Sequence, residues 1–213
     1  MTTSTTVAIV YHSGYGHTER QALAVADGAR SVDDTNVLLL KADAAQGSWE
    51  TLERADAIIF GTPTYMGSAS AAFKAFMEAT SQAVFAKGAW KDKIAGGFTN
   101  SASRSGDKLS TLQQLAVFAA QHGMHWVNLG LPPGHSTSTS TEDSLNRHGF
   151  FLGAAAQSNA DEGPDVAPPG ADLRTARHLG QRVATVARLL RAGREELHRI
   201  RAEDSPALPQ AGR

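Results

Sequence analysis

The sequence predicts a doubly wound α/β fold on a five-stranded parallel sheet in the order 2-1-3-4-5. Three observations carry that expectation. Apolar runs bounded by turn residues recur at Val7–Tyr11, Val37–Leu40, Ala57–Phe60, Ile94–Phe98 and, more weakly, His125–Leu129. Each run is continuous rather than alternating, as in strands covered on both faces. Patterns of helical period lie between the runs, and that alternation implies parallel strands joined by right-handed crossovers. In such a sheet a ligand sits at the carboxyl ends of strands 1 and 3, where the winding reverses.

The first strand runs straight into His12-Ser-Gly-Tyr-Gly-His-Thr18, and a helix follows with Ala22, Val25, Ala26 and Ala29 on one face. A strand that turns sharply into a helix N-terminus exposes the free N–H groups of the first turn, and the helix dipole favours an anion there. Ser13 and Thr18 add hydroxyls, while Gly14 and Gly16 allow close approach and positive φ. The loop lacks the G-x-G-x-x-G spacing of a dinucleotide site and the Lys of a P-loop. It reads as a monophosphate cradle, with a tight βα turn as the alternative. A short helix is expected over Trp49–Ala55.

The third strand leads into Gly61-Thr-Pro-Thr-Tyr-Met-Gly67, which offers hydroxyls, a stiff Pro63, and Tyr65 and Met66 as an apolar surface for a ring system. A helix follows with a stripe of Ala72, Phe73, Phe76, Met77 and Thr80. After the fourth strand, Thr99-Asn-Ser-Ala-Ser-Arg-Ser-Gly-Asp107 is a small polar loop rich in potential N–H donors, with Arg104 free to aid them or face water. The next helix carries Leu109, Leu112, Ala116 and Ala119 and ends at His122-Gly123, where the His is either a favourable C-terminal residue or a ligand contact. Residues 131–170 form a long loop of Pro, Gly, Ser and Thr, of a length that is usually functional or disordered; Phe150 and Phe151 suggest that part of it packs. A closing helix runs from Ala171 to about Ala202, and a disordered tail is expected from 204 to 213. Residues 1–203 read as one domain.

Composition bounds the function. The chain has 213 residues, a net charge of −1 and no cysteine. Near-neutrality argues against a dedicated nucleic-acid binder. The lack of cysteine removes thiolate metal sites, disulfides and a cysteine nucleophile. His122 and His125 have no third ligand at metal spacing, so no metal is expected. The N-terminus has no basic and apolar leader pattern, and no run approaches the ~20 apolar residues of a membrane span. A cytoplasmic protein without membrane association is expected.

Taken together, Ser13-Gly-Tyr-Gly-His-Thr18, Ala57-Ile-Ile-Phe-Gly-Thr-Pro-Thr-Tyr-Met-Gly67 and His122-Gly-Met124 resemble the flavodoxin-like flavoproteins. Within them the chain resembles the tryptophan-repressor-binding-protein family of NAD(P)H:quinone oxidoreductases. The likeness covers roughly residues 6–130 and returns in the final helix. It implies FMN as cofactor. It implies phosphate contacts from Ser13, Gly14, Tyr15, Gly16, His17 and Thr18, and ring contacts from Pro63, Thr64, Tyr65, Met66 and Gly67. Asn100, Ser101, Ala102, Ser103, Arg104 and Gly106 would border the ribityl chain and pyrimidine edge, and His122 would reach the flavin. Tyr15 and Phe85 would contact the nicotinamide and acceptor. The chain departs from the family at Ala102-Ser-Arg104, where the family loop is glycine-rich, and over 131–170. The implied reaction passes hydride from NADPH or NADH through flavin N5 to a quinone-like acceptor, with the flavin rather than a side chain carrying the chemistry. The alternatives are a flavin reductase that supplies reduced FMN to a monooxygenase, and a non-catalytic carrier or regulatory module. A homo-oligomer is expected, because Val183, Val186, Ala187, Leu190, Leu197 and Ile200 extend an apolar stripe past the length of one sheet, the alternative being a break at Gly193 that turns the stripe back on its own domain; the resemblance implies a homodimer or homotetramer.

Overall fold

A computed structural model describes residues 4–203. The expected disordered tail lies outside the described residues. The central path of the sheet runs β2-β1-β3-β5-β6, formed by β1 (Thr5–Tyr11), β2 (Thr35–Lys41), β3 (Ala57–Tyr65), β5 (Ile94–Ser101) and β6 (His125–Trp126), all paired in parallel. Two short strands make the total seven among the described residues: β4 (Ser68–Ala69) folds back antiparallel on β3, and β7 (Ala154–Gln157) pairs parallel with β5. The helices are α1 (His17–Arg30), α2 (Ala42–Ala45), α3 (Trp49–Arg54), α4 (Ala71–Thr80), α5 (Lys108–Gln121) and α6 (Gly170–Glu203).

The five-strand expectation is corrected in two places. The first is β3, which continues past Phe60 to Tyr65 and turns over the hairpin tip Met66-Gly67. Both tip residues have positive φ, at 48° and 81°, as a two-residue hairpin loop requires. The second is the position beside β5, which two segments share. The two residues of β6 pair with Ile94 and Ala95, and β7 pairs from Phe98 to Ser101. The sequence 131–170 therefore contains a strand. Its core is three alanines, which carry no β-branched or alternating signal.

Residues alternate between two cores, as the period of a strand demands. Val7, Ile9, Tyr11, Ile59 and Phe98 pack on one face against α1 and α6. Ala8, Val10, Ile58 and Phe60 pack on the other face with Phe73 and Phe76 of α4, Leu115 and Phe118 of α5, and Trp90. The 34 residues of α6 continue through Gly193 without a break. Val183 and Ala187 of its stripe are buried on this chain's own sheet, while Leu197 and Ile200 are exposed.

The crossing of α1 and α6 depends on two glycines. A Cβ at Gly28 would lie 1.8 Å from the Arg177 carbonyl oxygen, and one at Gly180 would lie 1.9 Å from that of Val25. Each helix thus buries a backbone carbonyl against the other's missing side chain. Ala has the better helix propensity, yet backbone cannot yield as a side-chain tip can. Gly180→Ala should therefore destabilise the fold by about 2–3 kcal/mol. Urea denaturation checks this; an unchanged or raised midpoint would mean that the helices separate freely.

Candidate functional site

Three loops meet at the carboxyl edge of the sheet around a cleft of about 830 Å³, a volume suited to a cofactor. The loop after β1 contributes Ser13, Tyr15, His17 and Thr18; the end of β3 contributes Pro63, Thr64, Tyr65 and Met66; the end of β5 contributes Asn100, Ser101 and Ala102. These eleven expected residues come together. Gly14, Gly16 and Gly67 shape the same loops without lining the cleft. Gly16 adopts φ 89° before α1, and the Ser13 hydroxyl accepts the Gly16 N–H at 3.0 Å to close the turn. A side chain at Gly14 would meet the Tyr65 hydroxyl, since its Cβ would lie 2.5 Å away.

The lining of the cleft is chemically mixed. The helix α1 begins with no side-chain cap, so its first N–H groups and its dipole can meet an anion. Tyr15, Tyr65 and Met66 add apolar surface, with the tyrosine rings edge to face at 6.3 Å. Tyr15 is 77% exposed, and Met66 projects fully from the hairpin tip. Burial, reinforced by Tyr15, pushes the Tyr65 phenol up, so it stays a neutral donor. Thr64 lines the cleft but directs its hydroxyl inward, at 2.8 Å from both Thr99 and Thr111. Its role is in the floor, not as a free donor.

The fourth wall is one that sequence reasoning missed: Ser158, Ala160, Glu162, Gly163 and Pro164. Ser158 accepts from Asn100 Nδ2 at 2.9 Å. His17 Nε2 donates to the Glu162 carbonyl at 2.9 Å, and Arg20 donates to the Pro164 carbonyl at 2.7 Å. The segment is thus tied across the first loop, with Pro164 lying over Gly16. A Gly-Pro pair inside a long polar stretch was its only mark in the sequence.

Other expected residues lie elsewhere. Ser103, Arg104 and Gly106 belong to the third loop but do not line the cleft. Arg104 pairs with Glu142, whose carboxyl is held down to about 2 by Arg104 and Arg147. His122 ends α5, beside β6 and the first residues of β5. That places it at the opposite edge of the sheet, about 23 Å away at the usual strand rise. There it hydrogen-bonds Thr80 Oγ1 at 3.0 Å and packs its ring against Phe118, Trp90 and Phe85. Within a single chain His122, expected at the flavin, and Phe85, expected at the nicotinamide and acceptor, both lie away from the cleft: α4 and α5 run antiparallel to the strands, so their last residues are carried to the other edge.

The cleft fits FMN by the groups that line it: an uncapped helix start for one phosphate, exposed aromatic residues for a ring, and a strand-end loop for polar edges. Comparison with known proteins agrees. The family described as NADPH-dependent FMN reductase matches residues 20–132. Flavodoxin FldP of Pseudomonas aeruginosa (strain UCBPP-PA14) is 42% identical over 188 residues, covering 86% of this chain and 97% of the relative. The chain belongs to the NADPH-dependent FMN reductase family. Another relative, an NAD(P)H dehydrogenase (quinone) of Geotalea uraniireducens (strain Rf4), is 32% identical over 203 residues and covers 85% of this chain and 97% of the relative. A solved structure of a flavodoxin, WrbA-like protein from Agrobacterium tumefaciens superposes with a TM-score of 0.68 at 44% identity, covering 87% of this chain and 99% of that one. The fold is flavodoxin-like, and the family's cofactor is FMN.

The segment 127–153 of this family member is held by a buried carboxylate. Asp172, in the first turn of α6, accepts from Arg147 Nε at 2.7 Å, Arg147 Nη2 at 3.0 Å, His148 Nε2 at 3.2 Å and the Gln157 N–H at 2.9 Å. Burial pushes its carboxyl up, but His148, Arg147 and the Gln157 N–H outweigh that and hold it below the ordinary value. The stability it contributes is therefore present above about pH 4, the unfolded value, and is lost as pH falls through its folded value. Asp172→Ala leaves Arg147 buried without its partner and should cost about 3–5 kcal/mol. Chemical denaturation at pH 7 and pH 3 checks it: the gap between wild type and variant should be large at pH 7 and shrink at pH 3, and an equal gap at both would contradict the linkage.

Proposed function

We propose that this chain is an FMN-dependent oxidoreductase that takes reducing equivalents from NADPH or NADH and passes them to a quinone-like acceptor. The observation that carries the reading is a single cleft lined both by an uncapped helix start and by exposed aromatic residues. Ser13, Thr18 and the first N–H groups of α1 would hold the phosphate. Tyr65 and Met66 would flank the ring, and Asn100, Ser101 and Ala102 would border its polar edge. Bound FMN supplies the ring system that accepts a hydride and passes its electrons on. Tyr15 forms the outer wall against which nicotinamide and acceptor would stack in turn, and the residues orient rather than move protons.

A relative named as a quinone dehydrogenase supports the acceptor class. The flavodoxin name of the 42% identical relative favours a second reading, an electron carrier without turnover of its own. Anaerobic mixing separates the two. The oxidoreductase, loaded with FMN, should bleach on adding NADPH or NADH and recover on adding a benzoquinone. Bleaching by dithionite but by neither nicotinamide would favour the carrier. Protein that takes up no FMN would sink both. Replacing both Ser13 and Thr18 by Ala should weaken FMN binding by about tenfold per residue, since each removes a charge-assisted hydrogen bond.

His122 and Phe85 can serve a cleft only if a second copy of the chain brings its opposite edge there. In that case an assembly should form, and Phe85→Ala should lower acceptor turnover while FMN affinity holds. Light scattering and steady-state kinetics test it together; a 22.5 kDa monomer with full activity would leave these residues as core and surface packing alone.

A further inference from the structure

The loop after β5 turns five successive carbonyls into the protein. Ser101 O accepts from the Ser158 N–H at 3.1 Å, and Ala102 O accepts from Gln157 Nε2 at 3.1 Å. The Lys108 ammonium donates to the carbonyls of Ser103 and Arg104, the latter at 3.0 Å. The Lys108 N–H donates to Ser105 O at 3.2 Å. A trans peptide is planar, so each carbonyl drawn inward turns the N–H of the next residue the other way. The N–H groups of Ala102, Ser103, Arg104, Ser105 and Gly106 are thereby turned away from those partners. A run of such groups makes a concavity that favours anionic or electron-rich edges. It begins at the cleft, which Ser101 and Ala102 line.

Lys108 is the costly member of this arrangement. It is fully buried, and it stands at the first position of α5, where the helix dipole disfavours a cation. Neither burial nor helix start explains a lysine here, but the two carbonyls do: no backbone N–H bonds them, and the Ser103 carbonyl has one other donor, the Ser101 hydroxyl at 3.3 Å.

We propose that Lys108 is a positioning residue, whose side chain holds loop 101–107 so that its cleft-lining start, Ser101 and Ala102, stays placed for the polar edge of the cofactor. The ligand half of this statement rests on the FMN reading above; the hold on the loop does not. The charged groups that act on it are Asp172 of α6 and Arg147 of segment 127–153; Glu142 of that segment pairs with Arg147 and with Arg104 of the loop itself. Burial, with Arg147 assisting and Asp172 opposing, lowers the Lys108 ammonium to about 8. An opened loop would return it to water and its ordinary value of about 10.4. The closed loop therefore gives up its proton first, and closure strengthens as pH rises through about 8.

The test uses full-length protein as wild type, Lys108→Met and Lys108→Arg. Trypsin cleavage after Arg104 in FMN-free protein, normalised to a peptide substrate and followed by mass spectrometry, reads the loop. FMN titration reads the ligand side. Lys108→Met should be cut about tenfold faster and bind FMN about tenfold more weakly, with a single unfolding transition retained. Lys108→Arg should restore most of both. Wild-type cleavage should slow from pH 7.5 to 9.5, and the Met variant should lose that trend. Wild-type behaviour in Lys108→Met, or a pH trend that survives in it, overturns the proposal. If Lys108→Met does not fold, Lys108→Gln takes its place with the same outcomes. Wild type that takes up no FMN defeats the cofactor reading, while the cleavage arm still decides the role of Lys108.

Discussion

A carboxylate that may not stand alone in the interior organises one whole side of this molecule. Removing a charge from water costs several kcal/mol unless hydrogen bonds and an opposite charge replace the water. Asp172 meets that demand with the start of α6, a bidentate Arg147, His148 and the N–H of Gln157. The partners come from two stretches of chain, Arg147-His148 and Gln157, and Asp172 from a third. Satisfying one side chain therefore fixes segment 127–153 and the end of β7 against α6. Through Arg147 and Glu142 the same network reaches Arg104 in the third loop.

The cleft inherits its rigidity from this arrangement and from its floor. The Thr64 hydroxyl bonds those of both Thr99 and Thr111, and Thr99 also donates to the Thr62 carbonyl at 2.7 Å. With those groups satisfied internally, the proposed polar contacts fall to Ser13, Thr18 and backbone N–H groups at the start of α1 and at Ser101 and Ala102. Backbone donors are held by the fold and need little reordering when a ligand arrives. The exposed Tyr15 and Met66 are the contrast: they stand at the mouth, where exchanging partners would need room.

Much of the site was legible because its first two loops follow strands with strong signals. Ser13–Thr18 and Pro63–Met66 were readable from a β-to-helix junction and from Gly and Pro placement, and they do meet. Arg104 was readable only as an available cation; its partner Glu142 is 38 positions later, in a stretch with no periodicity. Ser158–Pro164 and Lys108 were invisible for related reasons. A wall made of irregular backbone has no period, and a lysine at a helix start reads as a solvated charge. His122 and Phe85 had a resemblance to recommend them, but helix direction within one chain sends them to the far edge.

The sequence by itself determined the strands of the centre, the helices that cover them and the edge at which a ligand would sit. Those follow from hydrophobic period and from the handedness of parallel crossovers, which are local properties of a chain. Only the tertiary structure decided that the position beside β5 is shared by two short segments, that Gly28 and Gly180 let α1 and α6 touch, and which charges are paired. The physical reason is that these depend on what each group loses when water is removed from it. That loss is set by neighbours distant in the chain, so no local pattern records it.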